Sequence, residues 1–94
     1  MKDTEELIKD LKLKDSSSRR HAIEMLGIMG DEKAVDALIL VLKDKDRFVR
    51  QEAIAALGKI GGESVVESLT QALVEEKDEF VRDSMKKVLE KLRE

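Results

Sequence analysis

Asp46-Arg47-Phe48-Val49-Arg50-Gln51-Glu52-Ala53-Ile54-Ala55-Ala56-Leu57-Gly58-Lys59-Ile60-Gly61 repeats the pattern Asp15-x3-Arg19-x2-Ala22-Ile23-x2-Leu26-Gly27-x2-Gly30, found 31 residues earlier. The match runs on through Glu32/Glu63, Val35/Val66, Leu38/Leu69 and Leu42/Leu73. It totals 11 identities over 29 aligned positions, enough to identify copies of one unit. A fainter copy sits one residue late, with Asp78, Val81, Arg82, Met85 and Leu89 in the places of Asp46, Val49, Arg50, Ala53 and Leu57. One extra residue between Val74 and Lys77 accounts for the shift. Leu7, Ile8 and Leu11 lie 31 residues before Leu38, Ile39 and Leu42, so the amino-terminal segment supplies the first half of the first unit. The expected organisation is one repeat domain, 1–94, of three units at about 1–30, 31–61 and 62–94. A period of this size marks a stacked array in which a unit buries its apolar face only against its neighbours, and about three units are needed for stability.

Within a unit, Val35, Leu38, Ile39 and Leu42 fall at i, i+3, i+4 and i+7. Over residues 32–43 that spacing predicts an amphipathic helix. A second stripe, Val49, Ala53, Ile54, Leu57 and Ile60, begins after Asp46, whose carboxylate can accept backbone N–H groups at a helix start. Gly61 is expected to close this helix at positive φ. Gly58, still inside the stripe, is expected to permit close helix contact, at a cost of about 1 kcal/mol relative to Ala. Three helical hairpins follow, about six helices in all, with no strand signal. Polar residues replace apolar ones at the ends: Asp3-Thr4 where inner units carry Ala34-Val35 and Val65-Val66, and Lys86 where Ile23 and Ile54 stand. Terminal faces without a neighbour call for such replacements, so the three hairpins are expected to form a complete domain.

Composition narrows the chemistry. The chain of 94 residues leaves little room for a catalytic module beside the array. It has no cysteine, which excludes disulfides, thiolate metal sites and cysteine nucleophiles. Charged residues make up 41% of the chain yet sum to −3 with both signs interspersed, the pattern of solvated helix faces. No long apolar run follows a basic start, so a soluble, cytoplasmic protein without membrane contact is expected. Abundant Glu and Lys with no Asn, Cys, Pro, Trp or Tyr lean toward a thermophilic source.

The units resemble HEAT repeats, in the short HEAT-like variety also called phycobilisome-lyase-type repeats. The resemblance covers nearly the whole chain. It is carried by Ala34-Val35-x2-Leu38-Ile39-x2-Leu42-x3-Asp46-x2-Val49-Arg50-x2-Ala53-x3-Leu57-Gly58-x-Ile60-Gly61-Gly62. Ser18 stands where Val is usual in the first unit, and Met85 and Glu90 replace Ala and Gly in the third. The resemblance implies a right-handed α-solenoid with first helices convex and second helices concave, and a protein–protein scaffolding role.

Two sets of polar and aromatic residues recur with the units. Asp15/Arg19, Asp46/Arg50 and Asp78/Arg82 repeat in register with the core. This favours a structural ladder, each Arg bonding to an Asp or a turn carbonyl next door, over a phosphate or carboxylate clamp. Phe48 and Phe80, the only aromatic residues, share one position before Val-Arg, with Ser17 in that place in the first unit. They either stand exposed on the concave side, with Arg47, Gln51, Glu52, Asp83 and Lys87 around them, or fold over the helix start and cover the unit junction. Leu40, Met25 and Ile28 are apolar where sister units carry polar or smaller residues. A partner or a second copy of the chain could cover them, so a homo-oligomer is open.

Catalytic and metal chemistry find no support. Ser16-Ser17-Ser18 lacks a positioned base and reads as a helix-start cluster. Gly58-Lys59-Ile60-Gly61-Gly62 ends a helix, whereas phosphate cradles open one. HEAT-like di-iron hydroxylases of the deoxyhypusine type carry His-Glu pairs after the repeat arginine. Here Arg19-Arg20-His21-Ala22, Arg50-Gln51-Glu52-Ala53 and Arg82-Asp83-Ser84-Met85 contain none. The expectation is therefore no cofactor, no metal and no enzyme, and a module binding a protein or peptide. Nucleic-acid binding is an alternative, disfavoured because Arg20, Arg47, Lys59, Lys87 and Lys91 are offset by Glu24, Glu52, Glu79 and Asp83. A further alternative, an accessory role in bilin chromophore attachment, rests on the repeat family's other name.

Overall fold

Aspartates end the turns and start the helices. A computed structural model describes all residues, 1–94, as α1 (Thr4–Asp10), α2 (Ser16–Met29), a 3-10 turn (Glu32–Ala34), α3 (Val35–Val41), α4 (Arg47–Ile60), α5 (Glu63–Glu75) and α6 (Glu79–Leu92). Asp15 accepts from the Ser18 N–H, Asp46 from Phe48 and Val49, and Asp78 from Phe80 and Val81. The all-α architecture is the one read from the periodicity. Gly30 and Gly61 close α2 and α4 at φ 66° and 72°, the left-handed region that a side chain disfavours.

The second helices α2, α4 and α6 form one row, packed directly on each other, and α1, α3 and α5 form the other. Leu7, Leu38 and Leu69 from the first row meet Ile23, Leu26, Ile54, Leu57, Met85 and Leu89 from the second in a single buried core. Close approach within the second row depends on glycine. A Cβ on Gly27 would lie 2.9 Å from both the Cα and Cβ of Ala56, and one on Gly58 would lie 2.9 Å from Val88 Cγ1. The expectation that Gly58 serves helix contact is met, and Gly27 serves it more stringently because its neighbour is backbone.

Two local expectations are corrected. The helix expected over 32–43 opens instead as a 3-10 turn, because Asp31 accepts the Lys33 N–H at 3.0 Å and tightens the chain before α3 begins at Val35. Thr4 was expected to face solvent as a capping replacement. It is 7% exposed, and its hydroxyl donates to Asp31 Oδ2 at 2.8 Å, tying the first unit to the second. Lys86, by contrast, is exposed where Ile23 and Ile54 are buried. No helix is long and apolar enough to cross a membrane.

The capping carboxylates make the fold acid-sensitive. The hydroxyls of Ser17 and Ser18 lower the Asp15 pKa, the Phe48 N–H lowers that of Asp46, and the Lys33 N–H with the Thr4 hydroxyl lowers that of Asp31. A carboxyl whose pKa is depressed on folding adds stability above its unfolded value of about 3.9, and that stability is lost as pH falls through the depressed values. The urea midpoint is expected to be flat near neutrality and to fall below about pH 4. Asp46→Asn keeps an effective cap and should show a shallower fall, read from urea titrations at several pH values.

Candidate functional site

The recurring arginines are spent on the structure. Arg19 donates through Nη1 to the Leu13 and Lys14 carbonyls at 2.8 and 2.7 Å, while its Nε reaches Asp44 Oδ2 of the next unit at 3.1 Å. Arg50 repeats this, with Nη1 on the Asp44 carbonyl at 2.7 Å and Nε on Glu76 Oε1 at 2.9 Å. Arg82 holds the Leu73 and Glu76 carbonyls and has no carboxylate partner. The side chains of Arg19 and Arg50 are 9% and 16% exposed, so their guanidinium groups are occupied and largely covered. That geometry is a ladder rather than a ligand clamp.

The ladder's acidic members differ from those expected. Asp15, Asp46 and Asp78 were grouped with Arg19, Arg50 and Arg82, but these aspartates cap helices. The carboxylates that cross between units are Asp44 and Glu76, each two residues ahead of a cap. Each also accepts the cap residue's own N–H, at 2.9 Å, which orients it toward the preceding unit. The signal was present in Asp44-Lys45-Asp46 and Glu76-Lys77-Asp78. Leu13-Lys14-Asp15 lacks it.

The two phenylalanines stand out from the surface. Phe48 is 54% exposed and Phe80 67%, so both rings are open to solvent. Capping places each as the second residue of its helix, where its N–H is held by Asp46 or Asp78. Arg47 comes between them, its guanidinium carbon 5.8 Å from the centre of the Phe48 ring and 5.0 Å from that of Phe80. Asp78 fixes that guanidinium, with Nη2 and Nε each at 3.0 Å from a carboxylate oxygen. The Asp78 carboxyl is pulled up by desolvation, but the Val81 N–H and Arg47 outweigh this and hold it below the ordinary range. Arg20 also approaches Phe48, its guanidinium carbon 5.8 Å from the ring centre. The result is a ridge along the stack in the order Arg20, Phe48, Arg47, Phe80.

Of the other residues expected near the rings, Gln51 donates to Ser84 Oγ at 3.3 Å and so ties α4 to α6. Asp83 pairs with Lys87 at 3.1 Å on the exposed face of α6, and Glu52 is half-buried without an ion pair. Arg20 was not among the expected ring neighbours. Its reach to Phe48 spans two units, and no spacing within one unit reveals it. Leu40 and Ile28 are exposed, as expected, whereas Met25 packs against the core. His21 is exposed, and no cluster of three or more His, Asp or Glu side chains is placed to hold a metal ion. A groove of about 480 Å³ between the second and third units is lined by Ile39, Leu42, Lys43, Gln71 and the Arg50–Glu76 pair, whose charges already satisfy each other.

Comparison with known proteins agrees with this geometry. The sequence profile of HEAT repeats matches residues 4–90. The crystal structure of an engineered protein is similar, with a TM-score of 0.65 and 25% identity, over 94% of this chain and 26% of that one. The chain thus spans about a quarter of its neighbour's length. None of the curated proteins matches significantly.

Proposed function

Because this chain belongs to the HEAT-repeat family, a fold that commonly serves as a protein-interaction scaffold, we propose that it is a non-enzymatic module receiving a protein or peptide segment on the row of second helices. The observation that carries this reading is the pair of exposed rings, Phe48 and Phe80, held one unit apart with Arg47 pinned between them. Aromatic and Arg side chains dominate binding energy at interfaces when a partner desolvates them. Here helix caps fix the backbone that carries each ring, and Asp78 holds the Arg47 guanidinium by a hydrogen bond within an ion pair, which lowers the side-chain entropy lost on docking. Direct packing along α2, α4 and α6 supports taking this row as the inner, concave side of the stack.

Phe48→Ala with Phe80→Ala tests the reading. Both rings are exposed, so the double variant should fold as the parent does, checked by circular dichroism. Affinity capture from the source cell's lysate is expected to retrieve a partner with the parent chain and to lose it with the double variant. Capture unchanged by the double substitution sinks the proposal.

A further inference from the structure

The two outer faces of the stack are not alike. In α4, Ala56 and Lys59 close on the preceding helix: a Cβ on Gly27 would meet the Ala56 Cα and Cβ at 2.9 Å and the Lys59 Cδ at 3.6 Å. Their counterparts 31 residues earlier are Met25 and Ile28, on the side of α2 turned away from α4. Ile28 is 62% exposed and Met29 41%, while Met25 is only partly buried. Half-buried Ser18 and exposed His21 extend this run at helical spacing. Glu24, exposed one turn before Ile28, lies beside the run and stays in water at its edge. The opposite face of the stack, on α6, is charged instead, with Glu79, Lys86 and Glu90 all exposed.

A hairpin stacked in the manner of the first two units does not fit the α2 face. Met25 stands where Ala56 lets a glycine backbone approach, and Leu13 stands where Asp44 offers its carboxylate to the arginine of the unit before. Head-to-tail stacking of two copies is opposed at three points. Glu79 would meet Asp15 where Arg47 meets Asp78, Arg82 would meet Leu13 where Arg50 meets Glu76, and Glu90 would meet Met25 where Gly58 meets Val88. A two-fold arrangement avoids all three, because α2 of one copy then faces α2 of the other and the contact closes on itself. Antiparallel pairing sets Met25 of both copies near the axis, with Ile28 and Met29 of each against Ser18 and His21 of the other. The start of one helix meets the end of its mate, which brings Lys14 of each copy toward Glu32 of the other. These two residues are exposed, opposite in sign, and form no ion pair within the chain. Two of the central side chains are methionines, whose flexible thioethers adapt to such a contact.

We infer that this face of α2 is the joint of a homodimer, and that its occupant is a second copy of the chain related by a two-fold axis. The inference is independent of the reading of the phenylalanine ridge, which lies on α4 and α6. One helix face per copy makes a small interface, so the dimer is weak, with a dissociation constant of about 10 µM or above. A partner with two binding segments would engage both ridges of the dimer at once and gain by avidity.

Sedimentation velocity of the intact protein, from about 1 µM to about 500 µM, is the test. The expected result is a concentration-dependent passage from monomer to dimer and no further. Ile28→Lys, which installs the sister unit's residue at an exposed position, should keep the parent circular dichroism spectrum and weaken the dimer at least about tenfold. Lys14→Glu should weaken it as well, and Glu32→Lys added to Lys14→Glu should restore it. Failure of that restoration overturns the antiparallel pairing. A monomer at every concentration overturns the inference, whatever else binds this face. A dimer indifferent to Ile28→Lys also overturns it, and loss of the dimer in Phe48→Ala with Phe80→Ala instead would place the second copy on the ridge. An open series of ever larger oligomers overturns the two-fold in favour of head-to-tail stacking.

Discussion

Arg50→Met is expected to lower the unfolding free energy by about 3 kcal/mol, the lower part of the range for removing one partner of a buried ion pair. Arg50 joins three chain segments: its own helix, the Asp44 carbonyl in the turn before it, and Glu76 in the turn of the next unit. The Glu76 side chain is only 8% exposed, so losing the guanidinium strands a carboxylate with little water to replace it. Two further variants separate this cause from lost packing. Arg50→Met with Glu76→Gln keeps an oxygen for the Asp78 N–H, removes the stranded charge, and should recover more than half of the loss. Arg82→Met, whose guanidinium holds only carbonyls, should cost about 1 kcal/mol. Urea unfolding checks all three, and equal losses for Arg50→Met and Arg82→Met would refute a stabilising role for the inter-unit carboxylate.

Gly27→Ala is expected to destabilise by about 2 kcal/mol, although alanine gains about 1 kcal/mol in helix propensity. The added Cβ would meet the Ala56 Cα at 2.9 Å, and a backbone atom can yield only if α2 and α4 move apart along their whole contact. Ala56→Gly removes the other close atom, Cβ, and should rescue Gly27→Ala only in part. At Gly58 the obstacle is Val88 Cγ1, a side-chain methyl that can shift, so Gly58→Ala is expected to be near neutral. In a domain of this size the Gly27 effect corresponds to a drop of roughly 10 °C in Tm, measurable by thermal melts. Equal melting temperatures for the two alanine variants would show that the second row is looser than its geometry implies.

Both predictions turn on contacts between units, and these were the least legible part of the sequence. The arginines were recognisable as structural because they recur in phase with Ala22, Ala53 and Met85 of the core. Their acceptors were misassigned to Asp15, Asp46 and Asp78, the acids that recur most obviously. Asp44 and Glu76 differ in length and have no counterpart at Leu13, so identity alone hid them. Thr4 read as a surface replacement because a hydroxyl is polar, yet a hydroxyl can be buried once Asp31 accepts its proton.

Within a unit, every decisive relation spans few residues. Apolar stripes at i, i+3 and i+4, an Asp that caps the next two or three N–H groups, and a glycine that ends a helix are local, and repetition displayed each of them more than once. The sequence by itself therefore determined the hairpins, their order and the starts of the second helices. The tertiary structure decided which turn faces which. It set Arg50 against Glu76, separated by 26 positions, and Arg47 against Asp78, separated by 31. It also left Phe48 and Phe80 standing in solvent with guanidinium groups beside them. Those outcomes depend on the rotation and offset with which one hairpin docks on the next, set by close approach at Gly27 and Gly58 and by volumes summed across the core, which no single unit's pattern encodes.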